Sequence, residues 1–184
     1  QYPGVADSID SDVDNIASLL KLSGLLPADI DIQPLLDDAK VQLKDETDYL
    51  KEAEFLAAFG QLLHADERFM VPEVLPELTH RNVLAMTYVS GSPIESVIDL
   101  PQVDRDRVMT TLIELMLLEF FELRMVQTDP NFSNYQYKHD TGEIVLLDFG
   151  ATRRFKASFV NDYKRLARAA ITGDKVKLVA ACER

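Results

Sequence analysis

Between positions 125 and 150 short extended pieces alternate with polar loops. Met125-Val126 precedes Asp129-Pro130-Asn131-Phe132-Ser133-Asn134 and then Tyr135 to Tyr137. A turn at His139-Asp140-Thr141-Gly142 leads into the apolar strand Ile144-Val145-Leu146-Leu147, followed by Asp148-Phe149-Gly150. The turn has hairpin length. Asp129 and Asn134 thus occupy a short loop after a helix, and Asp148 follows a strand joined to that loop by a tight turn. Such a layout can bring three oxygen ligands together. Hard cations such as Mg²⁺ prefer carboxylate and amide oxygens and keep several waters while bridging substrate phosphates. An Asp-Pro in a turn usually serves as a local backbone cap; the apolar strand ending in Asp-Phe-Gly gives the spacing its weight.

The rest of the chain bounds this chemistry. With 184 residues, 47% of them hydrophobic, it can form one compact domain or two small lobes. Nineteen Lys and Arg against 31 Asp and Glu give a net charge of −12, which argues against a free-standing nucleic-acid binder. The lone cysteine, Cys182, excludes an intrachain disulfide framework and a cysteine metal cluster. His64, His80 and His139 are scattered and are expected to be surface or structural residues. The richest apolar run, Leu112 to Leu123, is interrupted by Glu114 and Glu119, so it reads as a buried helix rather than a membrane span. Gln1-Tyr2-Pro3-Gly4 lacks the features of a signal peptide.

Periodicity predicts a short helix from Ser11 or Asp12 to Ser23, with Ile16, Leu19, Leu20 and Leu22 as its apolar residues. A much longer helix is predicted from Pro34 to Leu63, its end blurred by Gly60. Met70-Val71-Pro72 reads as a turn, and Val74–Leu78 and Asn82–Val89 as two adjacent strands. Beyond a linker at Ser92-Pro93 and Leu100-Pro101, a helix should run from Asp104 or Asp106 to Arg124. Its apolar side would carry Met109, Leu112, Ile113, Met116, Leu117 and Phe120. Further helices are expected from Ser158 to Ile171 and from Asp174 onward, and the best lobe boundary lies near residues 89 to 92.

An Asp followed five positions later by an Asn, and then by Asp-Phe-Gly, resembles the metal-and-base segment of protein-kinase-like phosphotransferases. That resemblance implies that Asp129 orients or deprotonates an acceptor hydroxyl, while Asn134 and Asp148 hold Mg²⁺ against ATP phosphates. The wording is closer still to the UbiB/ADCK family of atypical protein-kinase-like proteins. The similarity rests on Gln1-Tyr2-Pro3-Gly4, on Glu46-Thr47-Asp48-Tyr49-Leu50-Lys51-Glu52-Ala53, on Val71-Pro72-Glu73-Val74 and on Val83 to Gly91. It continues through Thr128 to Asn134 and Leu146 to Gly150, nearly the whole chain.

The resemblance implies that Glu52 pairs with a nucleotide-positioning lysine. It likewise makes Glu46 and Asp48 an acidic pair tied to nucleotide and metal, and Met86-Thr87-Tyr88-Val89 a hinge. Met86 would border adenine, with the backbones of Thr87 and Val89 as its partners; Met86 and Val89 are also expected to be core residues. One departure is that Gln127-Thr128-Asp129-Pro130-Asn131 lacks the histidines common before the Asp and after Asp-Pro. Another is that the lysine strand, an alanine-rich nucleotide loop and a helical extension would precede Gln1, so the chain is expected to be part of a longer protein.

The fold expected is α+β and protein-kinase-like, with a partial amino lobe over 1–90 and a helix-rich carboxy-terminal lobe over 91–184. The activity implied for the intact parent is Mg-ATP-dependent ATP hydrolysis or phosphotransfer, linked to isoprenoid-quinone biosynthesis or lipid homeostasis. The alternatives are a small-molecule or protein kinase, and a nucleotide-binding pseudoenzyme or scaffold. ATP and Mg are the implied cofactors, the acceptor being a small molecule, a lipid-related compound or a protein, with no nucleic acid. A cytoplasmic location is expected, peripheral to a membrane if the family resemblance or flanking segments supply attachment.

Overall fold

The computed structural model describes residues 4–23 and 31–182; Gln1-Tyr2-Pro3 of the family-like opening lies outside them. They form two compact units that exchange chain more than once. The first comprises the chain up to His64 with Val71–Val89 and Leu147–Ala151; the second comprises Ala65–Met70, Ser90–Leu146 and the chain from Thr152.

The first unit is built on three helices, α1 (Val5–Ser23), α2 (Gln33–Glu46) and α3 (Tyr49–Leu63). Helix α1 starts earlier than its sequence pattern predicts. Its buried stripe is Ile9, Val13 and Ala17, spaced by one helical turn each, while Ile16, Leu19 and Leu22 are exposed. Lys40 pairs with Asp14 at 2.6 Å and Lys44 with Asp10 at 2.7 Å, a register that sets α1 and α2 antiparallel. These exposed pairs hold Asp10 below and Lys40 above their ordinary pKa values, chiefly through the hydrogen bonds to Lys44 and Asp14 respectively.

The single helix expected over 34–63 is two helices. Asp48 breaks it: its backbone leaves the helical region, with φ −101° and ψ 89°, and its carboxylate accepts the Leu50 N–H at 3.2 Å, capping α3. Thr47 donates its hydroxyl to the Lys44 carbonyl at 2.7 Å, and the Tyr49 N–H turns to the Arg81 carbonyl at 3.0 Å. Gly60 does not end α3, which runs to Leu63 and buries Leu56, Phe59 and Leu63 on one face.

The two strands expected over 74–89 appear as isolated antiparallel bridges, Val74 with Met86 and His80 with Val83. Leu75 N–H reaches the Ala85 carbonyl and Thr87 N–H the Glu73 carbonyl, each at 2.8 Å. Pro72 and Pro76 have no N–H to give, and Pro76 opens a 3₁₀ turn over Pro76–Leu78, so the ladder cannot extend.

In the second unit a four-stranded sheet runs in the order β1 (Phe69–Met70), β5 (Ile144–Leu146), β4 (Tyr135–Tyr137), β2 (Ser92–Pro93). Met70, read as a turn residue, is therefore a strand residue, aligned parallel with Val145. The predicted hairpin joins β4 and β5 antiparallel, with Gly142 at φ +79° and its N–H on the Lys138 carbonyl at 2.7 Å. A two-stranded ribbon pairs β3 (Met125–Gln127) with β6 (Thr152–Arg154).

Helices α4 (Gln102–Leu118), α5 (Ala157–Ile171) and α6 (Lys175–Cys182) complete this unit. Helix α4 buries Val108, Thr111 and Leu115, the stripe that leads to Glu119; Met109, Ile113, Met116 and Leu117, expected inside, are exposed. Its last turn is a π-helix over Glu119–Leu123, ended by Arg124 in the left-handed region at φ 56°. The wider turn sets Phe120 among Phe121, Phe155, Phe159 and Tyr163, with ring centroids 4.9 to 6.3 Å away.

Two glycines make opposite demands. A side chain at Gly91 would put its Cβ 2.9 Å from Gln136 Cβ, whereas a Cβ at Gly60 meets Val71 Cγ1 at an ordinary 3.8 Å. Gly91→Ala is expected to lower stability in chemical denaturation by about 1–3 kcal/mol through overpacking. Gly60→Ala should raise it by about 0.5–1 kcal/mol, because alanine loses less backbone freedom in a helix.

Candidate active site

In the first unit one face of α3 organises the Asp148-Phe149-Gly150 segment. Glu52, Leu56, Phe59 and Leu63 recur at helical spacing, and the Phe59 ring lies 4.8 Å from that of Phe149, both rings buried. Phe149 N–H binds the Glu52 carboxylate, while Asp148 is exposed and takes the Gly150 N–H at 2.9 Å. The two carboxylates converge: a Cβ added at Gly150 would sit 3.4 Å from Asp148 Oδ1 and 3.6 Å from Glu52 Oε2. Burial first, and then the charge of Asp148, push the Glu52 carboxyl up to about 6.

In the hinge-like segment Met86, Thr87 and Val89 are half-buried and Tyr88 is exposed. Met86 and Val89, expected in the core, are partly exposed because their stretch forms single bridges rather than an interior strand. Thr87 is held on both sides by Glu73, whose N–H it accepts at its hydroxyl at 2.9 Å and to whose carbonyl it donates its own N–H. Asp48 has the local duty of capping α3, with Arg81 at 3.9 Å. The side chain of Glu46 lies outside the described residues.

In the second unit the loop after β3 carries Asp129 and Asn134. Asn131 N–H returns to the Asp129 carbonyl at 2.8 Å, and Asn131 Oδ1 accepts the Ser133 N–H at 3.1 Å, starting a 3₁₀ turn over Phe132–Asn134. Asn134 Nδ2 donates to the Asp129 carbonyl at 3.3 Å, and its Oδ1 accepts the Ser133 hydroxyl at 3.3 Å. Asp129 itself is exposed.

Beneath the loop lies a polar group that the sequence reading did not assign. Glu119, 3% exposed, accepts the Gln127 N–H at 3.0 Å, and Gln127 Oε1 accepts the Tyr135 hydroxyl at 3.1 Å. Burial pushes the Glu119 carboxyl up to about 7 against the pull of the Gln127 N–H; burial, then the charges of Glu119 and Asp129, push Tyr135 up to about 12. A charged residue inside the apolar run Leu112–Leu123 was the available signal. Among the described residues no three or more His, Cys, Asp or Glu gather into a metal-holding group.

A model of the ABC1 atypical kinase-like domain matches residues 1–182. The chain belongs to the ABC1 atypical kinase-like family. This ABC1 domain is 41% identical over 179 residues to "Atypical kinase COQ8B, mitochondrial" of Danio rerio, covering 97% of this chain and 29% of that protein. It is 42% identical over 183 residues to "Atypical kinase coq-8, mitochondrial" of Caenorhabditis elegans, covering 97% and 24%. Against "Atypical kinase COQ8, mitochondrial" of Saccharomyces cerevisiae it is 38% identical, covering 95% and 35%. It therefore spans about a quarter to a third of the length of these relatives. A solved structure of Mycobacterium tuberculosis Rv3197 with erythromycin superposes at a TM-score of 0.76 with 24% identity, covering all of this chain and 46% of that one. The fold is thus α+β and kinase-like, and the family is the one that the sequence motifs resemble. Among the described residues no helix is long and apolar enough to cross a membrane.

The buried carboxyl under the loop gives a signed pH dependence. Glu119 holds its proton more tightly folded than unfolded, so the stability this confers is complete below its ordinary pKa of 4.5 and is lost as pH rises through about 7. The shift from 4.5 to about 7 corresponds to a loss on the order of 3 kcal/mol. Glu119→Gln keeps an oxygen for the Gln127 N–H, and its denaturation free energy should overtake that of the parent across this range.

Proposed function

We propose that this domain is the phosphate-handling part of an atypical kinase that uses Mg-ATP, and that hydrolysis of ATP is its leading reaction. The observation that carries the proposal is the convergence of Glu52 and Asp148 beside Gly150. Among the described residues neither carboxylate has an ion-pair partner, and their repulsion helps to hold the Glu52 carboxyl near 6. Two like charges kept this close are suited to receiving cations. The exposed carboxylate of Asp148 is a hard oxygen ligand of the kind Mg²⁺ takes, and Mg²⁺ shared with phosphates needs few protein ligands; the family resemblance adds the Asn134 amide oxygen as the second. Bound Mg²⁺ supplies neutralisation of phosphate charge during transfer.

The chain's own residues take the remaining roles. Asp129, exposed on a loop held by the Glu119 network, orients or deprotonates the attacking water or acceptor hydroxyl. Glu52, buried against the Phe149 N–H, is the partner of the nucleotide-positioning lysine. The Thr87 carbonyl and the Val89 backbone hold adenine beside Met86. Glu46 and Asp48 form the acidic pair near nucleotide and metal, Asp48 doing so while capping α3. The domain would serve isoprenoid-quinone biosynthesis or lipid homeostasis, which is the association the family resemblance brings.

Asp148→Ala should leave the circular dichroism spectrum unchanged and weaken Mg²⁺-dependent ATP binding about tenfold or more, because a charged ligand is lost. A folded variant that binds Mg-ATP as the parent does contradicts the assignment. Asp129→Asn should retain ATP binding and lose about a hundredfold or more of turnover. ADP with inorganic phosphate, formed without an acceptor, supports ATPase action; phosphate found on a metabolite or protein makes the domain a transferase.

A further inference from the structure

A cavity of about 430 Å³ opens in the second unit between α4 and the segment from Val126 to Tyr135, and none of the roles proposed above uses it. Its walls are apolar: Met109, Ile113 and Met116 from the exposed side of α4 face it together with Val126 and Phe132. Its polar lining includes Glu119 and Gln127, which are 3% and 7% exposed. Burying charge without a partner is costly, and among the described residues the Glu119 carboxylate accepts one hydrogen bond, from the Gln127 N–H, and has no cation paired to it. Gln127 adds a second vacancy in the same lining, since its Nε2 is buried with no hydrogen-bond partner.

The surroundings decide the sign of the ligand. The charges that reach this lining are negative: Asp129 acts with Glu119 on Tyr135, whose phenol stays neutral. On β6, the strand facing β3, Arg153 and Arg154 are exposed to solvent. The negative charges of Glu119 and Asp129 therefore disfavour an anion. A divalent metal wants several oxygen ligands, which one carboxylate among methionines, isoleucine and phenylalanine does not provide. An open, largely apolar cavity with one buried carboxylate that no cation pairs suits a small molecule carrying one positive charge.

We propose that this cavity binds a compact hydrophobic amine, its ammonium paired with Glu119 and its apolar body lying between α4 and the Val126–Phe132 segment. The ligand would restore the counter-charge that the fold leaves out, and a charge-assisted hydrogen bond in a low-dielectric setting is the strong kind. Because the cavity reaches Thr128 and Pro130 on either side of Asp129, an occupant would also stiffen the loop that carries the proposed base.

The test is calorimetric titration of the whole chain with 4-phenylbutylamine and with 4-phenylbutanol, a neutral probe of nearly the same shape. The amine should bind about tenfold or more tightly than the alcohol. Its affinity should rise from about pH 6 to about pH 8 as Glu119, pushed up to about 7, ionises. Glu119→Gln should bring the amine down to the level of the alcohol without changing the alcohol. Met116→Trp, at a position 55% exposed where folding is not at stake, should fill the mouth and weaken both probes. Equal affinity for amine and alcohol, no binding of the amine at millimolar concentration, or an affinity that falls as pH rises would each overturn the proposal. So would amine binding indifferent to Met116→Trp, which would place it elsewhere on the acidic surface.

Discussion

The contact between Phe59 and Phe149, with ring centroids 4.8 Å apart and both rings sealed from solvent, is the constraint on which the first unit's chemistry depends. Phe149 is flanked by Asp148 and Gly150, so burying its ring fixes the backbone of all three residues. Asp148 is left exposed with its carboxylate bent back onto the Gly150 N–H. The same helix face places Glu52 two turns before Phe59, where its carboxylate meets the Phe149 N–H. A hydrophobic contact thereby sets the position of two carboxylates that would otherwise move apart. Keeping them together raises the pKa of one and leaves negative charge that a bound cation would relieve.

The second unit uses a different device for its loop. Asp129 and Asn134 gain their shape from short backbone and side-chain bonds around Asn131, but the strand beneath is fastened by Glu119, a charged residue in the interior. The π-turn at the end of α4 puts Glu119 where it can reach Gln127, in place of one more buried aliphatic side chain. Burial makes that carboxyl hard to ionise, so the fold gives up stability at neutral pH to anchor the strand that leads into the loop.

Much of this was legible in the sequence, and the failures have physical causes. The Asp129, Asn134 and Asp148 spacing, the hairpin at 138–143 and helix α5 follow from local turn chemistry and periodicity, which one stretch of chain contains in full. The break between α2 and α3 was missed because Asp48 suits a helix surface as well as a cap, and its role depends on Thr47 and on Arg81, far along the chain. Strand β1 was invisible because two residues carry no period, and it exists through β5, more than seventy positions later. On α4 the large apolar residues drew the eye to one face while Val108, Thr111 and Leu115 were buried on another. The exposed face then became part of a cavity whose buried carboxyl the sequence showed only as an interruption.

The most direct measurement of the central claim is the titration of the Glu52 carboxyl by carbon-13 NMR in the parent and in Asp148→Asn. The packing of Phe149 on Phe59 predicts a midpoint near 6 in the parent. With the like charge removed it should fall, yet stay above the ordinary 4.5 because burial is the larger cause. A Glu52 that titrates at its ordinary value in the parent, or one that ignores Asp148→Asn, would contradict the account.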